Sequence, residues 1–306
     1  MGEEMASRDR GCDRGITGLC ALDSGEFSSM NNAGEQQVRV LKAGDAVSAY
    51  KLSLEAGWNQ TIQDWSMLIE LSPDGCLGID ADGDLVSTGT LFCYGQRLAW
   101  VGMVLTKVAF RGRGFARRIL TELLRLADRK AIETVKLDAT DQGQPLYEKL
   151  GFRVEQPVER WMRPGEKGVR LTSNDAVRES QRGWHNLDTT AFGTDRRFLL
   201  DRLALRRAPI IDKDSFALSR TGRENNFLGP CVASSSGIAQ GLIHSTLLAA
   251  QEGGWLWDLF LENKNATSLA TELGFAPQRH LKRMVRGNDL RGNEASVFAL
   301  AGFELG

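Results

Sequence analysis

The sequence predicts an α/β fold built twice, as two consecutive domains of one kind. Three observations predict it. Strands and helices intermingle over the first half, a glycine-rich loop joins a strand directly to an amphipathic helix, and two short strings recur at equal spacing in the second half. At 306 residues the chain also exceeds one ordinary core.

Regular patterning begins with Val38 to Leu41, a short strand. Val47, Tyr50 and Leu54 then repeat at helical spacing until Gly57 stops the helix. Thr61 with Asp64 three residues on makes a capping-box pattern, Asp standing in for Glu, and opens a second helix through Trp65, Leu68 and Ile69. The loop Gly57-Trp58-Asn59-Gln60 lies between these helices. Cys76 to Ile79 and Leu85 to Tyr94 read as antiparallel strands joined at Asp82-Gly83, and Gly95-Gln96 turns the chain into a strand from Leu98 to Val108.

Arg111-Gly112-Arg113-Gly114 follows, and Phe115, Ile119, Leu120, Leu123 and Leu126 then share one helical face. Val135 to Ala139 is a further strand. Pro145 to Leu150 is a short helix stopped by Gly151, before a strand that starts at Phe152. The predicted order is β, α, α, β, β, β, α, β, α, β. Pro164 to Gly168 breaks the pattern as a linker, which divides the chain into a first domain over 37–165 and a second over 166–306. Within the second, Gly237-Ile238-Ala239 and Leu273-Gly274-Phe275 repeat Gly114-Phe115-Ala116 and Leu150-Gly151-Phe152, with 38 residues from the first Gly to the Phe in both.

Residues 1–36 are rich in Gly, Ser and acidic side chains and are expected to be a disordered tail. Their apolar patch, Ile16 to Leu22, is too weak for a signal peptide, and Glu3, Glu4, Asp9 and Asp13 argue against a mitochondrial presequence. A formal charge of -1 lacks the basic footprint of nucleic-acid binding, and no apolar run is long enough to span a bilayer. Five scattered cysteines without a Cys-x-x-Cys pair fit a reducing cytosol, so a cytoplasmic location is expected. His185, His244 and His280 lack metal-ligand spacing, and no metal is implied.

A strand that runs through Arg111-Gly112-Arg113-Gly114-Phe115-Ala116 into a helix presents free backbone N–H groups at the positive end of the helix dipole. Such an arrangement cradles an anion, the plainer alternative being a basic turn that caps the helix. No Lys-Ser or Lys-Thr follows the loop, which removes the Walker A reading, and Arg117 stands where a dinucleotide fingerprint needs its third Gly.

This loop resembles the Arg/Gln-x-x-Gly-x-Gly/Ala pyrophosphate loop of the GNAT acyltransferase superfamily, and Leu146-Tyr147-Glu148-Lys149-Leu150-Gly151-Phe152 resembles its second hallmark. The resemblance covers Val38 to about Arg163. Gly57-Trp58-Asn59-Gln60 with Asp64-Trp65, Asn226-Phe227-Leu228-Gly229-Pro230 and the closing Ala301-Gly302-Phe303-Glu304-Leu305-Gly306 resemble a subgroup with two GNAT domains in tandem. The implied fold is α/β with a mixed sheet, in two GNAT-type acyl-CoA N-acyltransferase domains.

The resemblance further implies acetyl-CoA as co-substrate, its pantetheine arm lying between two splayed strands, Val101 to Val108 and Val135 to Ala139. Cofactor contacts are then expected from Val104, Leu105, Thr106, Arg111, Gly112, Arg113, Gly114, Phe115, Ala116 and Thr140, with the amides of Val104 to Thr106 polarising the thioester. Tyr147 falls where many members hold a Tyr that protonates the leaving thiolate, the alternative being an aromatic that only packs. Trp58 and Asn59 border the expected acceptor pocket or simply pack. Asp138 and Asp64 are candidate bases for an acceptor, a small-molecule or peptide amine, and Asp138 is also a candidate acceptor contact. The expected activity is acetyl transfer to a primary amine in a ternary complex. A non-catalytic acyl-CoA sensor or interaction protein is the alternative.

The same alignment sets Ser234-Ser235-Ser236-Gly237 against Arg111-Gly112-Arg113-Gly114 and Ala270 against Tyr147. The second domain is therefore expected to be degenerate and to shape the acceptor site.

Overall fold

A computed structural model describes residues 36–165, 183–250 and 252–306. The expected tail, except Gln36, most of the linker and the expected start of the second domain lie outside these residues.

The first half begins with β1 (Val38–Val40), α1 (Ala46–Glu55) and α2 (Ile62–Leu71). Both halves of the capping box form at Thr61: its hydroxyl accepts from the Asp64 amide, and the Asp64 carboxylate accepts from the Thr61 amide. β2 (Cys76–Ala81), β3 (Asp84–Tyr94) and β4 (Leu98–Thr106) make an antiparallel meander. β4 stops two residues earlier than the sequence predicts, because a 3-10 turn at Val108–Phe110 draws the chain off the sheet. α3 (Phe115–Arg129) crosses to β5 (Thr134–Ala139), parallel to β4, and α4 (Gln144–Lys149) and β6 (Arg153–Arg163) complete the order.

The second half repeats that order without its first strand. It runs α5 (Trp184–Phe192), α6 (Arg197–Ala204), β7 (Ile210–Asp212), β8 (Ser215–Thr221), β9 (Asn225–Val232), α7 (Ser236–Leu248), β10 (Gly254–Phe260), α8 (Lys264–Glu272) and β11 (Ala276–Gly287). A short β12 (Val297–Ala299) is added.

The two halves share one mixed sheet, in the order β1-β2-β3-β4-β5-β11-β6-β10-β9-β8-β7, with β12 on β9. Their last strands are exchanged. β11 of the second half pairs with β5 of the first, and β6 of the first half pairs with β10 of the second. Between them β6 and β11 run antiparallel from Ala276↔Met162 to Val285↔Arg153. Backbone groups of each half are thus satisfied by the other.

The cores follow the sheet. Under α3, Ile119, Leu120 and Leu123 pack on Leu91, Val101 and Leu137, and under α7, Leu242 and Ile243 pack on Trp255 and Trp257. On the opposite face a single cluster runs through both halves, from Leu52 and Trp65 to Leu199, Phe216 and Leu305. This shared core and the exchanged strands make the two repeats one packed body over residues 36–306.

Candidate active site

β4 and β5 pair only at Leu98↔Thr134, Ala99↔Val135 and Trp100↔Lys136. Beyond Trp100 they diverge and leave a wedge between Val101–Thr106 and Leu137–Ala139. A bulge at Met103, whose φ is +49°, breaks the pairing of β4 with β3 and turns its backbone locally. A cavity of about 640 Å³ opens from this wedge, a size suited to a small-molecule ligand.

The glycine-rich loop closes one end. Gly112 and Gly114 have φ of +76° and +79°, the left-handed region that only glycine enters without strain. A Cβ at either would meet no protein atom within 4 Å, so the backbone conformation, and not crowding, demands glycine. Gly114 is the N-cap of α3, and its carbonyl accepts the Arg118 amide. Among the described residues, no acceptor takes the amides of Gly112 through Arg117, six adjacent donors at a helix N-terminus. Arg111 and Arg117 line the cavity beside them without a carboxylate partner among the described residues, and the Arg111 Nε donates to the Thr106 carbonyl at 3.2 Å. These groups fit a pyrophosphate.

Tyr147 enters the cavity from α4, edge-on to Phe152. Its hydroxyl has no hydrogen-bond partner among the described residues, and burial pushes its pKa up to about 12. It therefore stays a neutral O–H donor at any working pH.

The cavity also touches Val104, Leu105, Thr106, Arg111, Gly112, Gly114, Phe115, Ala116, Thr140 and Trp58. Two sequence expectations, Arg113 and Asn59, fall outside the cavity lining, and the two candidate bases are held by arginines. Arg113 turns away from the cavity, donating to the Ala109 carbonyl at 3.3 Å with its guanidinium 4.8 Å from the Phe110 ring centre. Asn59 faces the second half, where its Oδ1 accepts the Glu224 and Asn225 amides at 3.0 Å and its Nδ2 donates to the Asn225 carbonyl at 2.9 Å. Its position after Trp58 serves the junction between the halves and not the pocket.

Asp138 borders the cavity, but both its oxygens accept from Arg283, at 2.9 and 3.0 Å, with both side chains buried. Burial pushes its carboxyl up against the pull of that cation. A carboxylate so held ties β5 to β11 and has no free geometry for taking an amine's proton. Asp64 is likewise committed, to the capping box, to Arg206 and to Arg220. Both candidate bases are thus held by arginines in this structure.

Sequence reasoning missed the far wall, because it comes from the second half. Arg279 and Leu281 arrive on the exchanged β11, and Phe303 and Glu304 on the C-terminal segment. That segment lies along β4: the Tyr94 hydroxyl donates to the Leu305 carbonyl, Trp100 Nε1 to the Phe303 carbonyl at 2.9 Å, and Arg196 to the Gly306 carbonyl at 2.8 Å. Gly102 permits it, since a Cβ there would stand 2.9 Å from the Glu304 Cα. The closing string Ala301 to Gly306 was the one local signal of this contact.

The second half has the corresponding wedge between β9 and β10, which pair from Gly254↔Asn225 to Trp257↔Leu228. Here the chain fills it: β12 pairs with β9, Trp257 Nε1 donates to the Phe298 carbonyl at 2.8 Å, and the Leu300 amide to the Asp258 carbonyl at 2.8 Å. The N-terminus of α7 is capped by Ser235, whose hydroxyl accepts the Ile238 amide. The structural counterpart of Gly114 is thus Ser235, two residues before the Gly237 of the sequence repeat, because each is the N-cap of its helix.

A splayed pair of parallel strands with a glycine-rich loop and a helix N-terminus beside it is the arrangement of an acyl-CoA-dependent acyltransferase class of fold. A model of the Acetyltransferase (GNAT) family matches residues 46–152, and one of the Acetyltransferase (GNAT) domain matches 184–299. Over 212 residues the chain is 30% identical to an uncharacterized N-acetyltransferase, YitH, of Bacillus subtilis (strain 168), across 64% of this chain and 72% of that one. In fold it is similar to a candidate acetyltransferase from Pyrococcus horikoshii, with TM-score 0.76 and 23% identity over 89% of this chain and 96% of that one. A GCN5-related N-acetyltransferase from Sphaerobacter thermophilus has TM-score 0.60 and 14% identity over 84% and 98%. The chain belongs to the GNAT acetyltransferase superfamily and carries two GNAT domains in one continuous mixed sheet.

Among the described residues, no three His, Cys, Asp or Glu side chains are grouped to hold a metal, and no helix is long and apolar enough to cross a membrane.

Proposed function

We propose that the first half transfers the acetyl group of acetyl-CoA to a primary amine by direct attack in a ternary complex, and that the second half shapes the acceptor side without transferring anything itself. The open wedge between β4 and β5, with six amides that have no partner among the described residues at one end and Tyr147 beside it, carries this reading. The thioester supplies an activated acyl carbon. The amides of Gly112 through Arg117 hold the pyrophosphate, and backbone N–H groups of Val104 to Thr106 face the developing oxyanion. As the neutral amine nitrogen bonds to the acyl carbon and the C–S bond breaks, Tyr147 gives its proton to the sulfur, and the proton that the nitrogen loses returns through water to the phenolate. Holding both reactants in one cavity supplies much of the rate.

The filled second wedge supports a non-catalytic second half. β12 occupies the place a pantetheine arm would take, Ser235 uses an amide of α7, and Ala270 stands in the Tyr147 position of the repeat. The test is thiol release from acetyl-CoA against a panel of amines, amino acids, polyamines and peptides. Release that depends on one acceptor class establishes the transferase. Tight acetyl-CoA binding without release for any acceptor would replace it with a sensor.

A further inference from the structure

The acceptor end of the cavity holds several buried or half-buried charges, and nearly all are matched. Arg160 donates to both oxygens of Asp258 at 2.7 Å. Glu304 takes Arg220 at 3.0 Å, and Asp64 takes Arg206 and Arg220. Arg283 is held by Asp138.

Arg279 differs. It lines the cavity from β11, beyond the point where Lys282 pairs with Ala139 at the end of β5, and it has no carboxylate or hydrogen-bond partner among the described residues. Its guanidinium carbon lies 6.0 Å from the centre of the Trp58 ring. Burial, and then the charge of Arg160, pull its pKa down, with Asp258 partly offsetting them. A half-desolvated cation facing a cavity is stabilised by any anion that enters, and the guanidinium fork matches a carboxylate in two parallel hydrogen bonds. The pyrophosphate is provided for elsewhere, by the loop and its arginines.

We propose that Arg279 is the specificity residue of the acceptor site and that the acceptor is a small amine bearing a carboxylate, as in an amino acid or short peptide. The carboxylate pairs with the guanidinium beside Trp58, which leaves the amine to reach the wedge. This rests on the transferase reading for the amine, while the carboxylate contact itself needs only binding. The exchange of β11 then has a use: it places a second-half cation in a first-half site.

The experiment pairs each of a panel of L-amino acids and dipeptides with its own carboxamide, and measures both acetyl transfer and binding to the full chain saturated with CoA. The wild type is expected to favour the carboxylate forms by about tenfold to a hundredfold in kcat/KM or Kd. Arg279→Gln should bring that ratio close to one, and Arg279→Lys should keep part of it, with acetyl-CoA affinity unchanged in both. Equal treatment of acids and amides by the wild type, a ratio that survives Arg279→Gln, or a loss of acetyl-CoA affinity in that variant would overturn the proposal. Arg279-dependent binding of the acids without any acetyl transfer would sustain it and sink the transferase reading alone.

Discussion

Tyr147 and Asp138 border the same cavity with opposite consequences. The Tyr147 hydroxyl has no hydrogen-bond partner among the described residues, so Tyr147→Phe should cost little stability and leave acetyl-CoA affinity nearly intact. Turnover should fall by roughly 10² to 10⁴-fold if the phenol is the acid, as stopped-flow or steady-state thiol assays would read with chemistry rate-limiting. An acid works in its protonated form, and burial raises the Tyr147 pKa from its ordinary value to about 12. Its alkaline limb in the pH profile should therefore lie near pH 12 and not near 10; a limb near 10 would place the phenol in water. Asp138, by contrast, is half of a buried pair. Asp138→Ala strands the Arg283 cation and should destabilise the fold by about 3–5 kcal/mol in chemical denaturation. A stable, folded variant that had lost only turnover would restore it as the base.

Among the elements, the loop and α3 carry the cofactor reading. Gly114 sits at φ +79° as the helix N-cap. Replacing it by Glu forces a side chain into the left-handed region, at about 1–2 kcal/mol, and sets a negative charge where a phosphate is expected. Acetyl-CoA at a hundred times its dissociation constant should stabilise the wild type by about 2.7 kcal/mol in thermal or chemical unfolding, and Gly114→Glu should abolish the shift. A folded variant with wild-type affinity would move the pyrophosphate elsewhere. The equivalent end of α7 is occupied by its own Ser235 cap and the adjoining wedge by β12, so calorimetry should count one site per chain, lost in Gly114→Glu.

At the scale of the molecule, the exchanged strands decide how the protein folds. A fragment of residues 36–165 would lose β11 from the edge of β5 and leave β6 without its partners on both sides. It would also expose the face that Leu199, Phe216 and Leu305 cover in the shared core. Neither half is expected to fold alone, and the full chain should unfold in one transition, with tryptophan fluorescence and far-UV circular dichroism coincident. Two separated transitions, or a soluble, cooperatively folding fragment, would contradict this unity.

The elements of the first half, the capping box at Thr61, the glycine-rich loop before α3 and the repeat in the second half were all legible in the sequence, because each depends on residues a few positions apart. Periodicity, turn chemistry and a helix cap are local physics. What faces the cavity was only partly legible. Tyr147 and the loop sit inside motifs, whereas Asn59 and Asp138 looked available until their distant partners, Asn225 and Arg283, were in place. Arg279 and Glu304 carried no sign of belonging to the first half's site. Their roles arise from strand exchange and from a C-terminus laid along β4, pairings between residues more than a hundred positions apart. Such contacts are selected by which backbone groups and apolar faces remain unsatisfied once the local elements exist, so only the tertiary structure could decide them.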